Sequence, residues 1–332
     1  MDAPVTVAID ALERLQTGSR PLIVDEESGA LCAALSARGA DAAEWLRRAV
    51  RAEIARPWPP CGPFTAALLR LPKAKESLAF ALHAVASELP VGAPTVVFGA
   101  NVEGVRSAAP LLEAVAERIE TVLVKRHCRV LAGSRRASIP DHRSNLAAWR
   151  REGEIMLGGR PRRWISYPGV FARGAVDAGT ALLVASLPVL RPGTRVLDFA
   201  AGTGIVAAAI LDKASQVAVD MLEVDCLALA AAQENVPNAR AVAGSSLAAV
   251  GDRIYDFIVS NPPLHDGVRA SLAVLETLVR DAPSRLSRGG ELRLVTQRHV
   301  PAPEILARVF GAPAVAHIAE SGGFRVHAAR KT

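Results

Sequence analysis

A short polar segment near the end of the chain has the residue types needed to hold a planar amino group. Asn261, Pro262 and Pro263 follow residues 255–259, a β-branched and aromatic run that predicts a buried strand. Because two successive prolines cannot continue a strand's hydrogen-bond ladder, the chain must leave the sheet here. The Asn261 side-chain oxygen and a nearby backbone carbonyl could then each accept one hydrogen of an amino group. A strand-ending turn without chemistry is the alternative, and an isolated Asn-Pro-Pro favours it.

A loop containing glycines supplies a candidate ligand site upstream. Residues 195–197 predict a strand that leads into Asp198-Phe199-Ala200-Ala201-Gly202-Thr203-Gly204 and a helix over residues 205–211. The two glycines allow the backbone to approach a ligand, whose polar end would meet the amino terminus of the helix. An alanine fills the first glycine position of a dinucleotide loop, and no lysine follows as in a P-loop. The loop alone is weak evidence, because many such matches are only tight turns.

An acidic residue lies at the distance from this loop at which nucleotide-type sites hold a ribose. Glu223 is nineteen residues beyond the last glycine and follows residues 217–222, a predicted second strand. Asp225 is better explained as the N-cap of a helix over residues 226–235. Together with the Asn261 segment, the loop and the acid indicate the S-adenosylmethionine site of an amino-group methyltransferase.

The elements that would position these residues occur in a similar order in the two halves of the chain. The first half predicts strands over residues 21–24, 64–71 and 94–99, helices over 41–55, 76–88 and 105–119, and a hairpin over 120–133. The second half predicts a helix over 270–280, a strand over 291–295, a helix over 303–310 and a hairpin over 314–329. Two copies of one α/β unit, each a mostly parallel sheet with helices on both faces, explain this order.

Length and composition exclude several classes of protein. The chain has 332 residues, enough for about two domains, and although 50% are hydrophobic no stretch approaches the ~20 apolar residues of a membrane helix. The first fifteen residues carry three acids and no basic cluster, unlike a secretory signal. The four cysteines have no paired spacing, which argues against zinc and a disulfide framework. We therefore expect a soluble, reduced, cytoplasmic protein without a metal site.

Positive charge is concentrated between residues 125 and 163. This segment contains eleven lysines and arginines against three acids, a net charge of +8, whereas the whole chain carries +6. A basic segment between nearly neutral halves suggests a polyanionic partner, of which nucleic acid is the usual one. A solvated, flexible linker explains the same composition equally well.

Several further segments match a known family. In the second half they are residues 168–171, 177–183, the loop from Asp198, 260–263 with 265–267, and 289–293; in the first half they are 71–73, 89–92, 99–101 and 104–107. Through them nearly the whole chain resembles the RsmC/RlmG family of bacterial ribosomal RNA (guanine 2-amino) methyltransferases. The resemblance implies an α/β fold of two tandem Rossmann-like class I methyltransferase domains, the first degenerate and the second catalytic. We expect the degenerate domain over residues 1–137, a basic linker over 138–165 and the catalytic domain over 166–332.

The resemblance also implies which residues hold S-adenosylmethionine. They are Asp198, Ala200, Gly202, Gly204, Glu223, Ser246, Asn261 and Thr180. Asp198 and the loop would cradle the methionine portion, Glu223 the ribose, and Ser246 would stand beside the adenine. Asp177 and Thr180 take the position of the family's leading motif, although an N-cap and its helix explain them equally well.

Catalysis and substrate binding are implied at the Asn-Pro-Pro segment and around it. Asn261, Pro262 and Pro263 would be catalytic, since Asn261 and the Pro262 carbonyl would accept hydrogen bonds from the 2-amino group. The substrate-binding candidates are Leu264, His265, Phe171 and Arg298. Leu264 replaces an aromatic residue that stacks on the target base in the family, and His265 is expected to shape the pocket rather than act as a base. Phe171 could equally belong to the core.

The resemblance thus implies methylation of a guanine 2-amino group in ribosomal RNA, 16S of the small subunit, by a monomer. A non-catalytic RNA-binding or assembly protein that keeps the fold is one alternative. A methyltransferase for another amino group, such as another RNA base or a protein glutamine amide, is a second. The basic segment and the duplicated first half favour RNA as the partner.

Overall fold

Each half of the chain folds around its own β-sheet. The computed structural model describes residues 2–170, 175–262 and 268–332. The chain divides into a first unit, Met1–Arg150, and a second unit, Arg151–Thr332. Both units have the predicted α/β fold.

The first unit has a six-stranded sheet. Its helices are α1 (Ala3–Ala11), α2 (Ala30–Ser36), α3 (Lys75–Glu88) and α4 (Ala109–Glu113), and its strands are β1 (Pro21–Val24), β2 (Ala43–Trp45), β3 (Ala66–Arg70), β4 (Pro94–Ala100), β5 (Ala116–Lys125) and β6 (Cys128–Arg135). The strand order is β2-β1-β3-β4-β6-β5, in which the first four are parallel and β6 is antiparallel to both neighbours.

The second unit has a seven-stranded sheet and a separate hairpin. Its helices are α5 (Ala178–Ala185), α6 (Ile205–Lys213), α7 (Cys226–Asn235), α8 (Val268–Arg285) and α9 (Ala302–Phe310), and its strands are β7 (Arg151–Leu157), β8 (Arg160–Ser166), β9 (Arg195–Phe199), β10 (Ala218–Glu223), β11 (Arg240–Ala243), β12 (Tyr255–Ser260), β13 (Leu286–Gln297), β14 (Val315–Ser321) and β15 (Phe324–Arg330). The order of the large sheet is β11-β10-β9-β12-β13-β15-β14, and β7 pairs with β8. Without β11 this order repeats that of the first unit, as the internal repeat predicts.

Alternating side chains of the central strands enter cores on opposite faces of the second sheet. Val196 of β9 packs with α5 and α6 on one face, and Leu197 packs with α8 and α9 on the other. The strand order reverses between β9 and β12: the chain continues from β9 to β10 on one side of this point and from β12 to β13 on the other. Open α/β sheets bind ligands at the carboxyl ends of strands at such a switch point.

Two predicted helices of the first unit are wrong or too long. Residues 41–55, predicted as a helix, instead contain β2 and a short 3-10 helix, Ala52–Ile54. Trp45 and Leu46 are both 1% exposed, because β2 lies beside β1 and the chain after it turns into the core. The helix predicted over 105–119 ends at α4, since residue 116 already pairs with β6. In both places tertiary contacts override local helix propensity.

The expected basic linker over residues 138–165 is also wrong in its second half. Residues 151–166 form the β7–β8 hairpin and belong to the second unit, and residues 138–150 belong to the first. The hairpin buries Ile155, Leu157 and Trp164 in the core that contains α6. An apolar face on a strand pair must be covered, so this segment packs as part of its unit.

Candidate active site

Three neighbouring strands of the second sheet end level with one another. Phe199 of β9 pairs with Leu222 of β10 on one side and with Ser260 of β12 on the other. The buried Ser260 hydroxyl donates a 2.8 Å hydrogen bond to the Phe199 carbonyl, which ties two of the strand ends together. The residues that follow at this edge are Ala200, Glu223 and Asn261. The predicted loop, acid and amide therefore meet at one place.

The loop between β9 and α6 leaves open space beside one of its glycines. Ala200, Gly202 and Gly204 all have positive φ angles, 59°, 55° and 89°. A Cβ added at Gly204 would lie 2.9 Å from the Val236 side chain, whereas one added at Gly202 would have no neighbour within 4 Å. Gly204 is therefore needed for packing, and Gly202 faces the side from which a ligand can approach the backbone. Ala200 adopts the left-handed region without being glycine, which is strained.

Two buried acids flank this loop. Asp198 is 1% exposed and accepts a 3.1 Å hydrogen bond from the Ala207 N–H. Burial, to which the neighbouring Glu223 carboxylate adds, raises the pKa of Asp198 to about 8. Glu223 accepts hydrogen bonds from the Gly202 N–H at 2.8 Å and the Asp225 N–H at 2.9 Å, and burial raises its pKa as well. Glu223 thus shapes the loop, and Asp225 caps α7 as predicted.

Asn261 contacts the start of α5. Asp177 caps this helix through hydrogen bonds from the Gly179 N–H at 2.9 Å and the Thr180 N–H at 3.2 Å. The Thr180 hydroxyl donates to Asp177 Oδ2 at 2.5 Å, and Asn261 Nδ2 donates to Thr180 Oγ1 at 2.9 Å and to Asp177 Oδ2 at 3.4 Å. The N-cap interpretation of Asp177 is confirmed, and the interpretation of Asp177 and Thr180 as the family's leading motif stays a prediction.

Ser246 lines a cavity beside the strand ends. The cavity has a volume of about 200 Å³, and its lining includes Phe199, Leu247, Val274 and Thr277. A largely apolar lining with serine hydroxyls suits a flat ring that needs one or two hydrogen bonds. The adenine beside Ser246 stays a prediction.

The β7–β8 hairpin is hydrogen-bonded to the loop between β9 and α6, a contact that the sequence did not predict. Trp164 Nε1 donates a buried 2.9 Å hydrogen bond to Thr203 Oγ1 of the loop. Asn235 Nδ2 donates to the Thr203 carbonyl and to the Ile165 carbonyl, both at 3.0 Å, while its Oδ1 accepts from the Ile165 N–H at 2.8 Å. These partners lie 32 to 70 residues apart in the chain, so no local pattern marks them.

The remaining substrate candidates are less well placed or lie outside the described residues. Arg298 follows β13, is 61% exposed and forms an ion pair with Glu320, so its charge is partly neutralised. Phe171, Pro263, Leu264 and His265 fall outside the described residues. Pro262 is buried directly after Asn261.

The geometry suits the cofactor expected from the sequence. Asp198, Gly202 and Glu223 lie at the carboxyl ends of β9 and β10, and Phe199 of β9 also lines the Ser246 cavity. Within the described part of the chain, no three His, Cys, Asp or Glu side chains form a group that could hold a metal ion. No helix among the same residues is long and apolar enough to cross a membrane.

Comparison with known proteins identifies the family of the chain. The family described as methyltransferase small domain matches residues 162–328, and the family described as methyltransferase small domain N-terminal matches residues 33–152. A solved T. thermophilus 16S rRNA N2 methyltransferase (RsmC), in complex with AdoMet and guanosine, has the same fold. Its TM-score is 0.84 at 21% identity, and the match covers 100% of this chain and 92% of that one.

Curated relatives are more similar in sequence. The Ribosomal RNA small subunit methyltransferase C of Ectopseudomonas mendocina is 34% identical over 278 residues, which is 82% of this chain and 81% of the relative. The protein of the same name from Salmonella heidelberg is 35% identical over 260 residues, or 77% of this chain and 72% of the relative. The chain therefore belongs to the methyltransferase small domain family, among the ribosomal RNA small subunit methyltransferase C proteins.

Proposed function

We propose that the second unit transfers a methyl group from S-adenosylmethionine to the 2-amino group of a guanine in 16S ribosomal RNA. The observation that carries this proposal is the Asn261 side chain, held at the sheet edge beside the glycine loop with its Nδ2 turned toward Thr180. The relatives' name and the ligands of the T. thermophilus structure support the substrate.

The cofactor is held by the residues already described at the sheet edge. The Gly202 and Gly204 backbone and the Asp198 carboxyl hold the amino-acid end, with the Ala200 methyl nearby. Glu223 accepts hydrogen bonds from the ribose, and Ser246 contacts the adenine. S-adenosylmethionine, when bound, supplies a methyl group on a positively charged sulfur.

The protein contributes mainly alignment and electrostatics. Asn261 Oδ1 and the Pro262 carbonyl accept the two hydrogens of the amino group and point its lone pair toward the methyl group. As the nitrogen becomes positively charged, these two hydrogen bonds strengthen, so they stabilise the transition state more than the ground state. The proton leaves to water afterwards, and no side chain is required as a base. A paired guanine hides its amino group, so the base must be unpaired or flipped outward.

The direct test is transfer of labelled methyl groups to ribosomal RNA. We expect the protein to label small subunits or 16S rRNA from cells that lack this gene, and mass mapping to locate the label on guanine N2. Asn261→Ala should abolish transfer while leaving S-adenosylmethionine affinity nearly unchanged. Cofactor binding without any transfer would contradict the proposal and favour a non-catalytic RNA-binding protein.

A further inference from the structure

The hydrogen bonds around Asn261 determine which end of its side-chain amide faces the substrate. We propose that Asp177 and Thr180 are positioning residues that hold Asn261 Oδ1 toward the substrate, so that the site accepts an N–H donor. This inference rests on the proposed function and names what selects an amino group at the same site.

The orientation follows from counting hydrogens. A carboxylate can only accept hydrogen bonds, so the 2.5 Å contact between Thr180 Oγ1 and Asp177 Oδ2 uses the single hydroxyl hydrogen of Thr180. Thr180 Oγ1 can then only accept from its second neighbour, Asn261, at 2.9 Å. The atom that Asn261 presents there must be Nδ2, because the amide oxygen carries no hydrogen.

Asp177 reinforces this orientation. Asp177 Oδ2 lies 3.4 Å from Nδ2 and is itself bonded to Thr180 Oγ1, so one Nδ2 hydrogen is shared between these two neighbouring oxygens. Nδ2 is therefore directed at the start of α5, and within the described residues Oδ1 has no hydrogen-bond partner. Asp177 is itself held by the Gly179 and Thr180 N–H groups, and Thr180 is only 7% exposed. Rotation of the amide would place Oδ1 against oxygen atoms at both contacts.

This fixed orientation has a consequence for specificity. Oδ1 accepts from an amino group but repels a carbonyl oxygen or a ring nitrogen acceptor, both of which a guanine also carries. A reversed amide would present Nδ2 and favour those acceptors instead. The relay from Asp177 through Thr180 to Asn261 therefore selects which edge of the base enters the site.

Two substitutions disturb the relay in different ways. Thr180→Val removes the hydroxyl but keeps the shape of the side chain. Asp177→Asn keeps the cap of α5, because Asn caps helices as well as Asp does, but it replaces the acceptor Oδ2 by a donor. The Thr180 hydroxyl then donates to Asn261, whose amide must reverse.

We expect both variants to lower kcat by roughly 10- to 100-fold, the loss expected for one hydrogen bond to a charged group. The dissociation constant for S-adenosylmethionine, measured by calorimetry, should change little. Thr180→Ser should restore most of the lost kcat, since it restores the hydroxyl. Ser186→Ala is the matched control, because it removes a hydroxyl at the other end of α5 whose one partner among the described residues is the Leu183 carbonyl.

A second measurement needs no substrate. NMR hydrogen exchange of the Asn261 side-chain amide should show one protected Nδ2 hydrogen in the wild-type protein and fast exchange in Thr180→Val and Asp177→Asn. Variants that keep kcat within about threefold, or the absence of a protected Nδ2 hydrogen in the wild-type protein, would overturn the proposal. So would a Thr180→Val protein that loses cofactor affinity and keeps kcat, which would make Thr180 a cofactor contact. An inactive wild-type protein with this hydrogen protected would instead refute the proposed function alone.

Discussion

The loop after the first central strand has the same length in both units and begins and ends with a left-handed residue, but its hydrogen bonds differ. Residues 25–29 follow β1 and residues 200–204 follow β9, and each loop begins at a non-glycine residue with positive φ, Asp25 at 54° and Ala200 at 59°. Each ends at a left-handed glycine that precedes a helix. In the first unit, Glu26 is 2% exposed and its carboxylate accepts from the Ser28 N–H, the Ser28 hydroxyl and the Leu31 N–H. The hydrogen-bond donors of the first loop are therefore bonded to a side chain of the loop itself, Glu26.

The position of Asn261 shows the same contrast. Val24 pairs with Leu69 as Phe199 pairs with Ser260, so Arg70 occupies the place of Asn261. Arg70 forms ion pairs with Asp2, which precedes α1 as Asp177 precedes α5, and with Glu103 at 2.7 Å.

The comparison shows how one sheet edge becomes structural and the other remains open. In the first unit each polar group named above has an internal partner, whereas among the described residues Asn261 Oδ1 of the second unit has none and open space lies beside Gly202. A fold of this kind loses a ligand site when its own side chains replace the ligand's hydrogen bonds.

The largest expected effect comes from copying the first unit into the second. Asn261→Arg should lower methyl transfer by roughly 10²- to 10³-fold or more, because a guanidinium cannot accept a hydrogen bond and repels the positive charge that develops on nitrogen. The measurement is kcat with labelled S-adenosylmethionine and small subunits. The reverse change, Arg70→Asn, should lower stability by about 1 kcal/mol and leave kcat within about twofold. Equal losses of activity in the two variants would contradict the contrast between the two units.

Removing the acid that accepts hydrogen bonds from each loop should separate cofactor binding from protein stability. Glu223→Ala should raise the dissociation constant for S-adenosylmethionine roughly 10- to 100-fold, through lost hydrogen bonds to the ribose and to the Gly202 N–H. Glu26→Ala should leave that constant unchanged and lower the free energy of unfolding by about 1–3 kcal/mol, since buried donors lose their acceptor. Calorimetric titration and urea denaturation measure the two effects. A weaker cofactor affinity in Glu26→Ala would place a ligand in the first unit.

Proton release should identify Asp198 as the acid beside the cofactor. With a pKa of about 8, Asp198 is mostly protonated at pH 7. A cationic ligand favours the ionised form, so binding at pH 7 should release about one proton, and little from this group at pH 9. Titrations in buffers of different ionisation enthalpy measure this number, and Asp198→Asn should abolish the release. Unchanged release in that variant would show that another group titrates.

The same raised pKa affects stability with a definite sign. The folded pKa of Asp198 lies above the ordinary value of 3.8, so the folded state keeps its proton longer than the unfolded state. The contribution of Asp198 is fully present below about pH 4 and is lost as the pH rises through about 8. Wild-type stability should therefore fall relative to Asp198→Asn between these limits, as urea denaturation across pH would show.

The smallest expected effect concerns the strained residue at the start of each loop. Ala200→Gly should stabilise the protein by about 1 kcal/mol, because glycine removes the Cβ clash of the left-handed conformation. Asp25→Gly should give no such gain, since the Asp25 carboxylate accepts a 2.8 Å hydrogen bond from the Arg47 N–H. Thermal unfolding of the pair measures the difference, and an equal gain at both positions would contradict this explanation.

Much of the second unit could be predicted from the sequence because its signals are local. These signals are the end of the strand before Asn261, the glycine loop, the cap at Asp225 and the acid at Glu223. They depend on neighbouring residues and regular spacing, and the structure brings them together. The family resemblance added the degenerate state of the first domain, the guanine substrate and the roles expected for Ser246 and Thr180. The finding that Glu223 holds the loop, and that Asp177 reaches Asn261, required the register of distant strands.

What the sequence could not predict depends on contacts between distant segments. The helix expected over 41–55 failed because burial of Trp45 outweighed helical composition. Several cations of the basic segment have partners in their own unit, and binding of RNA by this segment stays a prediction. Arg135 and Arg136 donate to backbone carbonyls, Lys125 pairs with Asp10, and Arg162 pairs with Asp212.

The hydrogen bond from Trp164 to Thr203 also sets where the catalytic half can be separated from the rest of the chain. A fragment that begins at residue 166, as the sequence suggests, would lack nearly all of β8 and lose the hydrogen bonds of Thr203 Oγ1 to Trp164 and of Asn235 to Ile165. A fragment that begins at residue 151 keeps them. The hairpin therefore belongs to the catalytic half, and any exchange of domains between relatives would have to be made on the amino-terminal side of the hairpin.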